Sequence, residues 1–247
     1  MNTASRPTVL IHGYGFDHRI WYPVELAFEG HHVIYLSLPG FGMDQVTEPY
    51  TITELANKYW RHLNEVMPDP VHLVGHSMGG YVCLEMVAQQ PSRVASLALV
   101  HSHVFEDPAE KKAQRSATMK DIGENGRAAF AKKLISSLFG NDKDYAEIIN
   151  VLIQRGMSYD DNAWCFGTQA IRDRKDQSKT LKEIQVPVLM LMGEEDKAVT
   201  PELAYKQSPL SERTVLHMYP GVGHMAMYEN TSKMISDLIR FYDQWQA

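Results

Sequence analysis

A chain of 247 residues, 44% of them hydrophobic, can bury a large core and sits at the upper end of a single compact domain. Its 24 basic and 30 acidic residues leave a formal net charge of −6, and Lys and Arg never run longer than pairs. No phosphate-tracking surface is therefore expected, which excludes nucleic acid and anionic membrane as partners.

The N-terminal stretch "MNTASRPTVLIHG" carries one arginine and a short apolar run, Val9 to Ile11, so no signal peptide is expected. The longest apolar run, Val186 to Met192, is too short to cross a bilayer. Two cysteines, Cys83 and Cys165, cannot build a disulfide framework, and Cys83 falls in an apolar helix pattern that suits a buried thiol. These features predict a cytoplasmic protein, a monomer or a homodimer.

In chain order, "TVLIHGYG", "HHVIYLSLPGFG" and "VHLVGHS" read as apolar strands ending in glycine, separated by helical patterns. After the third strand, Met78 to Gln90 is apolar on nearly every face until Pro91 stops it, which predicts a helix buried against a sheet. "RVASLALVHSHVF" supplies a fourth strand. From 106 to 184 the pattern turns helical, with candidate helices at Ala109–Asp121, Gly126–Leu138, Tyr145–Arg155 and Asn162–Asp176. "VPVLMLMG" and "TVLHMYPGVGH" return to strands, and a last amphipathic helix places Met234, Ile235, Leu238, Ile239, Tyr242 and Trp245 three or four apart. Apolar strands alternating with helices predict an α/β fold with a doubly wound, mostly parallel sheet of about six strands. The core is expected at 1–105 and 185–247, and a helical insertion at 106–184.

The frame Gly75-His76-Ser77-Met78-Gly79 at a strand-to-helix junction fits the G-x-S-x-G nucleophile elbow. Only very small side chains fit two residues before and after a serine in so tight a turn. The turn would expose Ser77 Oγ at the carboxyl edge of the sheet, with the free N–H groups and positive dipole of a helix start beside it. A serine serving only as a helix cap would not need both glycines.

Nucleophilic serine chemistry needs a base to take the hydroxyl proton and an acid to orient that base, at later strand ends in the order Ser, Asp, His. "LMLMGEEDKAVTP" offers Asp196, with Glu194, Glu195 and the earlier Asp107 as rivals. "MYPGVGHMAMYE" offers His224 in a glycine-flanked loop suited to a general base. The oxyanion donors are expected to be the N–H of Met78 and, from the "HGYGFD" loop, the N–H of Tyr14. Phe16, His103, Trp164 and Met225 are the candidate substrate-pocket residues.

Other chemistries find less support. His12, His76, His101 and His103 fall near strand ends, but no spacing matches a metal-ligand motif. In "HGYGFDH" the third glycine of a dinucleotide fingerprint would fall at His18, and "GHSMGG" lacks the Lys-Ser/Thr pair of a P-loop. No cofactor and no metal are expected.

With His12-Gly13, "SLPGFG", "GHSMGG", "GEED" and "GVGHMAMYE" in place, the chain resembles the α/β-hydrolase superfamily, in its branch of small esterases, lactonases and carbon–carbon hydrolases. The resemblance implies that the insertion is a lid and that the triad is Ser77, Asp196 and His224. It implies a serine hydrolase acting on a small-molecule ester, thioester or lactone of a small, largely apolar acid. Alternatives on the same triad are a C–C bond hydrolase or enol-lactonase, or a slow-turnover ligand sensor of the kind that "HGYGFDHRIW" resembles. Two departures stand out. Only 11 residues precede His12 where such proteins open with a hairpin, so the first two strands are expected to be missing. Ser37 also stands where the family often has Asp.

Overall fold

The near-continuous apolar runs become the strands of one sheet. In the computed structural model, which describes residues 6–42, 45–67 and 69–245, the strands are β1 (Thr8–Ile11), β2 (Val33–Leu36), β3 (Val71–His76), β4 (Val94–Val100), β5 (Val188–Gly193) and β6 (Thr214–Tyr219). Their order is β2-β1-β3-β4-β5-β6. The expectation of a mostly parallel sheet becomes a wholly parallel one among the described residues, since all neighbouring pairs run the same way. Strands β1, β3 and β5 are buried at every position, whereas the outer strands β2 and β6 are only partly covered. Burial on both faces is why the central strands read as unbroken apolar runs.

The connections explain the layers. A 3-10 helix (His18–Phe28), with Pro23 inside it, links β1 to β2. Helix α1 (Ile52–Val66) leads to β3, and α2 (Met78–Gln89) leaves it. Crossovers between parallel strands are right-handed, so the reversal at β1 sends the 3-10 helix to one face of the sheet and α1 and α2 to the other. Accordingly α1 packs on α2, and the C-terminal α10 (Thr231–Trp245) packs on the 3-10 helix. Met234, Leu238, Phe241 and Tyr242 are the buried stripe of α10. Ile239, expected in that stripe, is 40% exposed; the side chain of Trp245, like residues 1–5 and 246–247 of the expected core, lies outside the described residues.

Between β4 and β5 run α3 (Ala109–Asn125), α4 (Arg127–Ser137), α5 (Ala146–Ser158), α6 (Asp161–Arg172) and α7 (Ser178–Glu183). Helix α3 packs on α6 and α4 on α5. Helix α6 stops at Arg172, short of the expected Asp176, because the chain turns there to bury Arg174. After β5 come α8 (Pro201–Gln207) and, past β6, the short α9 (Ala226–Glu229). No helix among the described residues is long and apolar enough to cross a membrane.

The chain leaves β1 for β2 on one side and returns to β3 on the other, so the loops after β1 and β3 diverge at the carboxyl edge. Open α/β sheets bind ligands in the crevice at such a switch point. Here those loops carry Tyr14 and Ser77.

Candidate active site

Ser77 follows β3 directly and begins α2, with φ 51° and ψ −116°. A non-glycine residue in that region is strained by about 1–3 kcal/mol and persists only where its surroundings impose it. The surroundings do: Ser77 N–H donates to Val100 O at 2.9 Å, and Ser77 O accepts from Gly80 N–H at 2.9 Å and from Ser102 Oγ at 2.8 Å. A Cβ on Gly75 would lie 2.5 Å from the backbone of Gly79, and one on Gly79 would overlap Ile11 O. The glycines therefore let β1, β3 and the start of α2 close on one another.

Ser77 caps α2 by position, yet its hydroxyl makes no capping hydrogen bond. From Val71 to Val87 it is the one residue that is not buried. The turn presents a hydroxyl and uses it for nothing structural.

Asp196 and His224 converge from the ends of β5 and β6. Asp196 is buried while Glu194 and Glu195 are exposed, which separates the three neighbouring acids. Asp107, the remaining rival, is committed to Arg115 Nε and, at 2.8 Å, to Arg174 Nη2. Asp196 Oδ1 accepts the N–H groups of Ala198 and Val199 at 2.8 and 2.9 Å. Its Oδ2 accepts His224 Nδ1–H at 2.7 Å and His101 Nδ1–H at 3.0 Å. Burial alone would push this carboxyl up, but the neighbouring His224 and the hydrogen bonds from both rings hold it well below the usual carboxylate range.

His101 Nε2 accepts the Ala226 N–H at 3.2 Å, so the proton of this neutral ring sits on Nδ1. Burial keeps His101 neutral by lowering its pKa. The cluster His101, Asp196, His224 has the composition of a metal site. Both Nδ1 atoms, however, are spent as donors on one carboxylate oxygen, and neither can offer a lone pair inward. His224 Nε2 has no partner among the described residues. It is free to accept a proton from the cleft.

A residue given no role by its place in "MYPGVGHMAMYE" holds the His224 loop. The Glu229 carboxylate accepts N–H groups of Gly140 at 2.7 Å, Gly223 at 3.1 Å and Met225 at 3.0 Å. His224 N–H also donates to Leu138 O at 2.6 Å, tying the loop to the helical insertion. Behind it, His76 Nε2–H donates to His224 O at 3.0 Å, and burial holds His76 neutral, far below its ordinary pKa.

The loop after β1 is anchored from both sides. His12 donates Nδ1–H to Gly13 O at 2.9 Å and accepts Leu38 N–H on Nε2 at 3.0 Å. Burial lowers its pKa to about 4, so it keeps this neutral bridging form. Tyr14 OH reaches Trp164 O at 2.8 Å and Thr168 Oγ1 at 2.6 Å on α6. Neither the Tyr14 N–H nor the Met78 N–H has a partner among the described residues. Two free donors therefore flank Ser77, as an oxyanion hole requires.

Ser77 and His224 open into one cleft of about 90 Å³, with Tyr14, Phe16, Tyr81 and Val199 in its wall. Leu134, Leu138, Lys111 and Arg115 close it from the insertion, and His103 also lines it. Of the four expected pocket residues, Phe16 and His103 line this cleft. Trp164 and Met225 do not line the cleft. Trp164 is fully buried behind Tyr14, ring centroids 5.0 Å apart, with Nε1–H on Gly156 O at 3.1 Å. Met225 is fully buried under the His224 loop, its backbone held by Glu229.

Residues 8–235 match the model of the Alpha/beta hydrolase family. The pimeloyl-[acyl-carrier protein] methyl ester esterase of Pseudoalteromonas atlantica is 26% identical to the chain, covering 94% of it and 92% of that protein. Lipase 3 of Moraxella sp. is 24% identical, covering 98% of the chain and 79% of its own length. In fold, the chain superposes on a thermophilic esterase from Thermogutta terrifontis with a TM-score of 0.92 at 21% identity, covering 99% of this chain and 92% of the other.

Proposed function

Because the chain belongs to the alpha/beta hydrolase family, matched over residues 8–235, we propose that it is a serine hydrolase cleaving a carboxylic ester, thioester or lactone of a small acid. The observation that carries this reading is the strained, uncapped Ser77 sharing a cleft with the unoccupied Nε2 of His224. The cleft volume of about 90 Å³ lies well below the ~300–1,000 Å³ of sites for drug-sized ligands, which supports a short acyl group. Esterases and lipases among the relatives support ester bonds as the target.

In the first half-reaction, His224 Nε2 takes the Ser77 proton as Oγ forms a bond to the carbonyl carbon. The carbonyl oxygen gains negative charge and is held by the N–H groups of Tyr14 and Met78. Asp196 keeps the Nδ1 proton in place and stabilises the imidazolium. That imidazolium then protonates the leaving oxygen or sulfur as its bond to carbon breaks. In the second half, His224 takes a proton from water, the hydroxyl attacks the acyl carbon, and Ser77 leaves with its proton restored.

Residues 106–184, helices α3–α7, act in this scheme as a lid over the cleft, and Lys111, Arg115, Leu134 and Leu138 in its wall support it. The free thiols of Cys83 and Cys165 support a reducing, cytoplasmic setting.

The test is burst and steady-state release of p-nitrophenol from acetyl, butyryl and octanoyl esters by wild type and Ser77→Ala. Wild type turns over, and Ser77→Ala loses about 10⁴-fold or more in kcat/KM. Near-normal turnover by Ser77→Ala overturns the proposal, and a stoichiometric burst without turnover replaces the hydrolase with a sensor.

A further inference from the structure

The cleft around Ser77 carries a charge that cleaving a neutral ester does not need. Lys111 and Arg115, one turn apart on α3, both line it, and no Asp or Glu does. Arg115 donates only its Nε to Asp107, leaving its terminal nitrogens without a partner among the described residues. Asp107 is shared with buried Arg174, whose Nη2 holds the other carboxylate oxygen at 2.8 Å. Neighbouring Lys112 is neutralised by Glu106 at 2.6 Å, whereas the Lys111 ammonium has no partner among the described residues. Two arginines thus share one buried acid, and the Lys111 charge beside them has no acid of its own among the described residues.

His103, in the same wall, responds to that potential. Burial first, then Arg174 and Lys111, lower its pKa to about 3. The ring stays neutral and adds no charge of its own. A half-buried lysine with no counter-ion, beside an arginine that spends only its Nε on Asp107, is poised for an anion from outside the protein.

Resting on the serine hydrolase reading, we propose that the substrate is an ester or thioester of a short dicarboxylic acid, whose free carboxylate is bound by Lys111 and Arg115 while Ser77 attacks the other end. Leu134, Leu138, Ile171 and Val199 in the cleft wall suit the methylenes between. Two cations on α3 select the acid by charge, and the small volume of the cleft keeps it short.

The experiment pairs monomethyl glutarate with methyl valerate, and monomethyl adipate with methyl hexanoate, followed by pH-stat titration at low and high salt. In wild type the half-ester exceeds its neutral partner about tenfold or more in kcat/KM for at least one pair, and salt erodes the advantage. In Lys111→Met and Arg115→Met the ratio of half-ester to neutral ester collapses toward one, whichever way the absolute rates move. A wild-type ratio at or below one in both pairs, or a ratio that survives Lys111→Met, overturns the subsite. Thermal stabilisation by glutarate alone, present in wild type and Ser77→Ala and lost in Lys111→Met, tests the subsite without turnover. If that stabilisation is seen while neither the methyl esters nor the p-nitrophenyl esters are turned over, the hydrolase reading fails and the anion site stands; if it is absent while the p-nitrophenyl esters are turned over, the anion site falls alone.

Discussion

His101 Nδ1 lies 3.0 Å from Asp196 Oδ2, the same oxygen that His224 approaches to 2.7 Å, so two imidazoles share one carboxylate oxygen. The His101 bond draws charge away from the face of Asp196 that steadies the His224 imidazolium. His101→Phe keeps an aromatic ring but removes the donor. The carboxylate then loses one of the two ring donors that fix its Oδ2 against His224 Nδ1, and kcat falls by about 3–30-fold with KM less affected. Stability falls by about 1–3 kcal/mol, because the Ala226 N–H loses its acceptor and Asp196 a donor. An unchanged kcat would mean that His101 is only packing.

Strain at Ser77 is separable from its chemistry. At an ordinary position, glycine is less stable than alanine by about 0.5–1 kcal/mol because it loses more freedom on folding. At φ 51°, ψ −116° the order reverses, since glycine adopts this conformation without cost. Ser77→Gly and Ser77→Ala both lack the hydroxyl and are both inactive under the proposed mechanism. Urea denaturation is expected to show the glycine variant more stable than the alanine variant by about 1–2 kcal/mol. The usual order would show that the turn stores no strain.

The fold was legible because its determinants are local. Apolar runs of strand length, glycines at the elbow and Pro91 after α2 each act within a few residues, and the switch-point crevice follows from strand order. The positions of Asp196 and His224 were legible for the same reason, as each follows a strand that closes a few residues earlier, at Gly193 and Tyr219. The partners that hold them were not. His101 meets Asp196 across 95 positions, and Glu229 reaches Gly140 across 89. No spacing or periodicity encodes such pairs; they exist only once β4, β5 and the insertion are packed together. Trp164 misled for a related reason: an aromatic on an inserted helix lines a pocket or backs a neighbour depending on how the helix is turned, and here it backs Tyr14.

Glu229 is expected to govern how well His224 is positioned. Its carboxylate satisfies three backbone N–H groups on two segments, each a charge-assisted bond contributing about 1.5–3 kcal/mol. Glu229→Ala frees the His224 loop and the Gly140 turn together, and kcat falls by about 10–100-fold with KM less affected. Glu229→Gln, with one carbonyl oxygen still able to accept, recovers part of the loss. Equal defects in the two variants would assign the role to charge alone, and no defect in either would remove Glu229 from the positioning apparatus.

Tyr14 couples the loop after β1 to the insertion through one hydroxyl. Tyr14→Phe removes its bonds to Trp164 O and Thr168 Oγ1 while leaving the backbone N–H in place. Stability is expected to fall by about 1–3 kcal/mol, with the Thr168 hydroxyl left buried without its partner. Turnover should fall less than in Glu229→Ala, because the ring still packs edge-on against Trp164 and Phe41. A loss as large as that of Ser77→Ala would show that the hydroxyl itself enters the chemistry.

Acid sensitivity follows from the buried histidines. Burial lowers His12 and His72 to about 4 and His103 to about 3, against 6.5 for an exposed ring. The unfolded chain therefore binds protons that the folded chain refuses, and stability present above pH 6.5 is lost as pH falls toward 4. Each such histidine contributes up to about 1.4 kcal/mol per pH unit through this window. Urea midpoints should decline steadily from pH 7 to 5, before the buried carboxylates Asp17 and Asp196, held low by their partners, begin to take up protons. His72 tests the assignment away from the cleft, since its ring bonds Ser96 Oγ at 2.7 Å and packs on Tyr242. His72→Phe, which cannot titrate, should flatten the decline by about one proton's share; an unchanged slope would place the acid sensitivity elsewhere.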